Sequence, residues 1–228
     1  MPAIKVKFRS RWKKQTVAQI VNIFRSRPIN EDELAGLAGR IANEDGVERI
    51  DLRAFPFPEN ISDCEVERID FSYSDWPIGN GLTSVSARNC LFRKMGIEYS
   101  LATSFVDCDF RGSRLIGIRG TPGKTYTRCN FSECHFAKGD FLRSRFEDCQ
   151  FNSSRMPTTE FVECEFIRCC FTGVTFKRGN FGGSRFQQLR NNFKYLDHET
   201  VTPKEYVADP EFPTLDLHDT YMIDVTFE

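Results

Sequence analysis

Cysteine and histidine are the side chains with the widest chemical scope in this 228-residue chain, which contains nine cysteines and three histidines. Cys129 and Cys134 are separated by four residues, as are Cys164 and Cys169, a spacing that pairs of zinc ligands could have. A structural zinc site, however, needs four ligands that converge on one point. The histidines lie in no recognisable nucleophile or metal motif: His135, His198 and His218. No glycine motif that could cradle a phosphate is present. These residues therefore favour a chain that is not an enzyme and that holds no cofactor or metal.

The cysteines belong to a wider pattern, because a large apolar residue recurs at every fifth position. We call these the centre positions: Tyr126, Phe131, Phe136, Phe141, Phe146, Phe151, Met156, Phe161, Phe166, Phe171, Phe176, Phe181 and Phe186. Two residues before each centre lies a small or β-branched residue, with Lys124 as the exception. A period of five matches neither the 3.6 residues of a helical turn nor the two-residue repeat of a strand. It indicates a unit that turns a corner every five residues.

Self-similarity at a fixed period indicates a solenoid. Each unit must then bury its centre residue and the small residue two positions earlier, while the other three face water. The predicted structural core is Phe131, Phe136, Phe141, Phe146, Phe151, Phe161, Phe166, Phe171, Phe176, Phe181, Phe186, Cys129, Cys149 and Cys169.

Eight of the nine cysteines occupy the small position of a repeat: Cys64, Cys90, Cys108, Cys129, Cys134, Cys149, Cys164 and Cys169. There a cysteine serves as a small buried hydrophobic residue. The eight side chains should point inward at successive corners and levels, which argues against zinc. Cys170 precedes a centre directly and is predicted to point outward. Reduced core thiols are typical of a cytoplasmic protein.

The repeat pattern resembles the pentapeptide-repeat family. That resemblance implies an all-β solenoid, a right-handed quadrilateral β-helix with about four pentapeptides per coil. Residues about 20 apart would then stack on one face. The Phe centres with cysteine two positions earlier look more like the quinolone-resistance and gyrase-protection branch than like the Leu-centred branch. This likeness implies a bacterial protein that confers antibiotic resistance by binding DNA gyrase as a mimic of duplex DNA.

Three segments are predicted. Residues 1–45 form a basic N-terminal cap of one strand, suggested by the alternation of Ile4, Val6 and Phe8, and two helices. A possible capping box at Asn30 and Glu33 opens the second helix, which extends to Ile41. Residues 46–190 form the β-helix. Residues 191–228 form an irregular acidic cap that closes the C-terminal end or joins two copies into a homodimer.

The repeat slips at 77–81, at 98–103 and at 120–124. Loops on a rigid scaffold are where binding residues concentrate. The candidate binding residues in these breaks are Gly79, Asn80, Thr121, Pro122 and Lys124. The second break supplies no candidate.

Charge is polarised along the chain, with +8 in residues 1–30, −5 in 31–60, +3 in 61–190 and −7 in 191–228. The basic start offers a docking surface at Lys5, Lys7, Arg9, Arg11, Lys13 and Lys14. Mimicry of DNA needs rows of carboxylates in place of phosphates. The slightly basic β-helix departs from that requirement unless one face gathers its acids. The candidates are Glu133, Glu147, Asp148 and Glu163, with Glu160 and Glu165 beside them.

The leading functional hypothesis is a non-enzymatic, protein-binding rod whose first candidate partner is a type II topoisomerase such as DNA gyrase. One alternative is an immunity or regulatory protein that binds another macromolecule, such as a toxin. Another is direct nucleic-acid binding through the basic N-terminus, although the interleaved surface aromatics expected for single strands are missing. No apolar run approaches the roughly 20 residues of a membrane span, so a cytoplasmic protein without a membrane partner is expected.

Overall fold

The computed structural model is a parallel-strand β-solenoid of about six turns. It describes residues 7–74, 76, 82–98, 104–119 and 122–188, and the backbone of 216–218 and 226–227. The predicted solenoid of five-residue units is therefore confirmed. We number its four sides face 1 to face 4 in the order in which the chain visits them.

Two faces are regular parallel sheets. The strands of face 1, in spatial order, are Glu65–Glu67, Ser86–Arg88, Ser104–Val106, Thr125–Thr127, Arg145–Glu147, Glu165–Ile167, Arg185–Gln187 and Thr226–Phe227. Those of face 3 are Gly96–Glu98, Arg114–Ile116, His135–Ala137, Arg155–Pro157, Thr175–Lys177 and Asp216–His218. Single parallel bridges join the coils on the other two faces. Face 2 runs through Asn130, Gln150 and Cys170, and face 4 through Asp140 and Glu160.

Strand register measures the length of each coil. Phe146 pairs with Phe166, which is 20 residues on, as four pentapeptides require. The first and third breaks each add one residue, because Val66 pairs with Ala87 and Leu115 with Phe136. The second break removes two, because Ala87 pairs with Phe105. The breaks therefore alter coil length without disturbing the stack.

The centre side chains stack in columns at the spacing of the coils. Phe151 lies parallel to Phe131 and Phe171, with ring centroids 5.2 Å and 4.9 Å apart. Strands in a sheet are about 4.8 Å apart, so each coil places one ring on the ring beneath. Neighbouring columns meet edge to face, as Phe146 meets Phe151 at 5.5 Å. Such pairs add about 0.5–1.5 kcal/mol each beyond burial.

The small positions do more than fill space. The Cys149 thiol donates to the Tyr126 carbonyl at 3.3 Å, and the Ser154 hydroxyl donates to the Phe131 carbonyl at 2.6 Å. Ser154 also accepts from the Cys134 amide at 3.1 Å. Buried backbone groups require partners, so cysteine and serine at this position satisfy groups that alanine could not. All nine cysteines are free thiols, and Cys64 and Cys170 are half-buried rather than buried.

Every corner from residue 128 to residue 188 is turned by a residue in the left-handed region. The residue two positions after each centre has φ between 48° and 68°, including Arg128, Asp148 and Arg168. Such a conformation costs a non-glycine residue on the order of 1–3 kcal/mol unless the surroundings hold it. The amides of these residues donate to the coil above, as Asp148 does to Ile167 at 2.9 Å. The coil ladder therefore holds the corner.

Helices Lys14–Arg25 and Glu31–Ala38 precede the first coil, and strand Arg40–Ala42 pairs antiparallel with Glu48–Asp51. Strand Ile69–Asp70 lies parallel on the other side of Glu48–Asp51, and Ile61–Ser62 pairs with Leu82–Thr83. The Asn30 side chain accepts from the Glu33 amide at 3.1 Å, as the capping pattern predicted.

Two details of the N-terminal prediction are wrong. Phe8 lies in a helical turn at 7–9, not in a strand, because it packs on Tyr73 at 5.8 Å and beneath the Arg53 guanidinium. The second helix ends at Ala38 and does not reach Ile41, because Gly39 takes φ 79° and turns the chain into a strand.

The first coil is covered by residues of the N-terminal segment. Phe24 contacts Phe57 and Phe71 with centroids 6.0 Å and 6.4 Å apart. The Trp12 ring meets Phe55 at 5.0 Å, and its indole N–H donates to the Arg53 carbonyl. An end of a solenoid exposes apolar core, which needs such a cover.

Strands Asp216–His218 and Thr226–Phe227 continue face 3 and face 1 beyond residue 188. Leu217 stands in register with Phe176, and Phe227 with Phe186. The predicted return of the five-residue spacing at these positions therefore extends both sheets by one coil. The remaining residues of the predicted C-terminal cap lie outside the described residues, and the homodimer stays a prediction.

Tyr126 is a polar residue in an apolar column. Its ring stacks on Phe146 at 4.6 Å, and it is fully buried, yet its hydroxyl has no hydrogen-bond partner in the described part of the chain. An unpaired buried hydroxyl costs about 1–3 kcal/mol. We expect Tyr126→Phe to raise the free energy of unfolding by about that amount, measured by urea denaturation. Tyr126→Phe at or below wild-type stability would show that the hydroxyl has a partner.

Candidate interaction surfaces

The outer faces carry the candidate site residues, and their charges are largely fixed by neighbours one coil away. On face 1, the Arg128 guanidinium lies 2.6 Å from Asp107, and Arg168 lies 2.9 Å from Asp148 and 2.6 Å from Glu147. These bonds raise the pKa of the two arginines. Face 1 therefore presents a ladder of alternating charges.

The predicted acidic candidates are mostly paired. Arg168 holds Glu147 and Asp148, and the bond from Arg168 lowers the pKa of Glu147 more than burial raises it. On face 4, Arg143 lies 2.6 Å from Glu163. In the described coils from residue 104 to residue 188, the exposed carboxylates with no ion pair are Glu133, Asp140 and Glu160. The sequence could suggest these pairings only through the 20-residue spacing of Arg and acid.

Arg11 is a structural residue. Its guanidinium donates to the Asp51 carboxylate at 2.6 Å and to the Asp51 carbonyl at 2.5 Å. Burial would raise the pKa of Asp51, but hydrogen bonds from Arg53 and Arg11 hold that pKa at about 2. This side chain therefore joins the N-terminal segment to the first coil, and its role in binding a partner stays a prediction.

Lys124 was predicted to be an exposed binding residue, but its side chain lies in the core. It occupies the small position before Tyr126 and is buried, with 2% of its surface exposed. Burial lowers the pKa of its amine to about 8, against the opposing effect of Asp140. It cannot contact a partner, because the five-residue register directs it into the coil.

The other predicted binding residues divide into two groups. Exposed ones are Lys7, Arg9, Lys13, Lys14 and Pro122. Lys5, Gly79, Asn80 and Thr121 lie outside the described residues. The structure therefore exposes most of the basic N-terminal candidates, and it leaves most of the residues in the breaks undescribed.

Face 3 is a surface that sequence reasoning missed. Arg114, His135 and Arg155 stand in register on adjacent strands, and Lys177 stands beside Pro157. Lys138 and Arg178 occupy corner positions of the same face. All six side chains are exposed. Their spacings of 20, 21 and 40 residues were visible in the sequence, but the inserted residue in the third break obscured the alignment.

Among the depressions of the described surface, two have volumes of about 300 Å³ and 290 Å³. The first lies beside Glu31, Glu65 and Arg88, and the second beside Asp45, Arg49 and Asp107. Within the described ranges no three His, Cys, Asp or Glu side chains cluster as metal ligands. No helix in this part of the chain has the length and apolar character to cross a membrane.

No protein-family model matches the chain, and a comparison with curated proteins gives no match. Among solved structures, a trypsin-treated QnrB1 variant, a plasmid-mediated fluoroquinolone resistance protein, is 15% identical with a TM-score of 0.31, over 79% of this chain and 87% of that one. HetL, a pentapeptide-repeat protein involved in heterocyst differentiation regulation in the cyanobacterium Nostoc, is 9% identical with a TM-score of 0.23, over 74% and 86%. Rfr23, a pentapeptide-repeat protein of the cyanobacterium Cyanothece, is 8% identical with a TM-score of 0.25, over 74% and 87%. Likenesses at these scores carry no argument, so the fold rests on the strand register described above.

Proposed function

We propose that this chain is a non-catalytic rod that binds a protein partner through its outer faces. The observation that supports this most directly is the filled interior. The centre and small side chains of successive coils, such as Phe131 and Cys149, are buried and stacked without a gap. Three of every five residues are left to face water on a rigid ladder, where they form flat surfaces of fixed side-chain spacing.

The shape of the described surface also suits a binding role, because its depressions are open. Enzymes place their chemistry in concave pockets that enclose a ligand. Both depressions described above are open, and the second is lined by charged residues that already form ion pairs, among them Arg49 with Asp45 at 2.7 Å. Broad, flat faces suit a macromolecule better than a small substrate.

A type II topoisomerase such as DNA gyrase is the first partner to test, on the resemblance of the Phe-centred repeats. Carboxylates that are paired with arginine present little net charge, so they cannot stand in for phosphates. Mimicry of DNA would therefore need the unpaired carboxylates. Asp140 and Glu160 stand in register on face 4 as the unpaired acids one coil apart. We propose that these two carboxylates, with Glu133, would contact the topoisomerase.

The test is a gyrase supercoiling assay with and without the protein, run with a fluoroquinolone at two salt concentrations. We expect micromolar protein to inhibit supercoiling or to protect the enzyme, and this effect to fade as salt screens the carboxylates. Asp140→Asn with Glu160→Gln should weaken it about tenfold or more, which corresponds to about 1.4 kcal/mol. Glu48→Gln with Glu65→Gln removes the same charge from the first coils and serves as the control.

Two results would count against this partner. The wild-type protein could leave supercoiling unchanged at micromolar concentration, which rejects the topoisomerase as partner. The two double variants could also weaken the effect equally, which assigns it to net charge and not to face 4. A pull-down from the native host would then identify the protein that the rod binds.

We further propose that residues 191–228 close the C-terminal end of the solenoid. The support is the pairing of Asp216–His218 with Thr175–Lys177 and of Thr226–Phe227 with Arg185–Gln187. These strands cover sheet edges that would otherwise offer unpaired N–H and C=O groups to other chains.

A further inference from the structure

Face 3 carries a group of cations that no ion pair neutralises in the described part of the chain. We call this group the basic strip: Arg114, Lys138, Arg155, Lys177 and Arg178. All five side chains are exposed. The described side chains of face 3 from residue 114 to residue 178 include no carboxylate.

This absence is specific to face 3. Many exposed arginines on the other faces bond to a carboxylate, including Arg128 to Asp107, Arg143 to Glu163 and Arg145 to Glu165, at 2.6–2.8 Å. On face 3 itself, acids occupy the backbone positions of Glu98 and Asp216, in the strands just before and just after this range. Other acids lie at the borders of the basic strip. Glu133 lies at the corner with face 2, and Asp140 and Glu160 lie on face 4.

The basic strip has two edges, and the column between them runs from apolar residues to Lys177. Arg114 and Arg155 are two coils apart on one edge, which corresponds to about 10 Å at the spacing of neighbouring strands. Lys138 and Arg178 lie on the other edge, three residues further along the extended chain and so about 10 Å across the face. Ile116 and Ala137 occupy the middle in register and are half-buried.

The pKa of His135 is lowered by burial and by the positive charges at one edge of the basic strip. His135 stands between Arg114 and Arg155 in the strand register. Burial lowers its pKa, and the positive charges of Arg114 and then Arg155 lower it further. At neutral pH the imidazole is therefore mostly uncharged, and the arginines and lysines of the basic strip carry the charge of the face.

We propose that the basic strip binds the phosphate backbone of duplex nucleic acid without reading its sequence. Contacts to phosphate need only cations at suitable spacing. The described side chains of the face include no aromatic ring on which an unpaired base could stack, which disfavours a single strand. They also line neither of the two depressions and supply no aromatic anchor of the kind that dominates protein–protein binding energy, which disfavours an acidic protein. This surface is distinct from the basic N-terminal residues and from the acids of face 4.

The test measures fluorescence anisotropy of a labelled duplex of about 20 base pairs at several salt concentrations between about 50 and 200 mM. We expect the wild-type protein to bind, and the logarithm of its affinity to fall linearly with the logarithm of salt concentration. Arg114→Gln with Arg155→Gln should lower affinity at least about tenfold and reduce the salt slope by about two, since each phosphate contact contributes about 0.9.

The matched control is Arg88→Gln with Arg185→Gln, which removes two exposed arginines from face 1 strands and changes net charge equally. We expect it to change affinity less than about threefold. Thermal melting followed by circular dichroism checks that both double variants remain folded. A competition with poly-glutamate of similar length tests the alternative ligand, and we expect it to displace the duplex poorly.

Three outcomes would overturn the proposal. The wild-type protein could fail to bind the duplex at the lowest salt concentration. The face 3 and face 1 variants could lose affinity equally, which would mean that net charge and not the basic strip is responsible. Poly-glutamate could displace the duplex at equal charge concentration, which would assign the strip to an acidic protein.

Discussion

Phe151→Asp is expected to abolish folding of the solenoid. The Phe151 ring is fully buried between Phe131 and Phe171, at 5.2 Å and 4.9 Å. Loss of the ring costs about 3–5 kcal/mol, and an unpaired buried carboxylate costs several more. Together these reach the typical stability of a domain, about 5–15 kcal/mol. Circular dichroism should show no cooperative thermal transition for this variant.

Gln150→Asp is the control for that experiment. Gln150 directly precedes Phe151, and its side chain is exposed. The substitution therefore introduces the same carboxylate one residue away, on the outer side of the coil. Exposed substitutions usually change stability by less than about 0.5 kcal/mol. We expect a melting curve close to that of the wild-type protein. Equal melting of the two variants would show that the inward and outward positions are assigned wrongly.

Alkaline pH is expected to unfold the protein steeply. Burial raises the pKa of six core thiols: Cys90, Cys108, Cys129, Cys134, Cys149 and Cys164. The unfolded chain releases these protons near pH 8.5, whereas the folded chain keeps them. Stability is therefore unaffected by these groups below about pH 8 and is lost as pH rises above it. Each thiol contributes about 1.4 kcal/mol per pH unit, so six contribute about 8.

Lys124 acts in the opposite direction over part of this range. Because burial lowers the pKa of its amine to about 8, the unfolded chain holds a proton that the folded chain has released between about pH 8 and 10.5. Its contribution rises with pH and offsets about one thiol. The expected net slope from these six thiols and Lys124 is therefore a loss of about 7 kcal/mol per pH unit near pH 10.

Urea denaturation at a series of pH values, with a reductant present, measures this slope. Cys129→Ala with Cys149→Ala removes two of the titrating groups and should make the slope shallower by about 2.7 kcal/mol per pH unit. A wild-type stability that stays level from pH 8 to pH 10 would contradict the assignment of these thiols to the core. A double variant with the wild-type slope would contradict it equally.

Sequence alone determined the fold and the identity of the core. The unbroken period from Tyr126 to Phe186 determines which positions of each five-residue unit face the core and which face water. A shift of this assignment by one residue would bury Asp, Glu and Arg. The spacing also showed that the first and third breaks each add one residue. At the third break, for example, Leu115 and Tyr126 are eleven residues apart instead of ten. Local periodicity carries this information without reference to distant residues.

Surface charge could not be read from that period. Arg168 forms ion pairs with Glu147 and Asp148 because the coil height brings residues 20 and 21 apart within 3 Å. Arg114 finds no such partner, because His135 stands where an acid would have to be. Whether a cation is paired depends on the neighbouring coil, and the inserted residue near 121 shifts that neighbour by one position.

Backbone conformation and buried polarity were likewise decided by the tertiary structure. The corner residues from Arg128 to Gln188 include only two glycines, Gly173 and Gly183, so residue type gave little sign that all would adopt positive φ. Lys124 was expected at the surface, yet the register places its side chain in the core. Residue type sets local preference, but the hydrogen-bonded ladder between coils fixes where each side chain points, because leaving that ladder would unpair buried backbone groups.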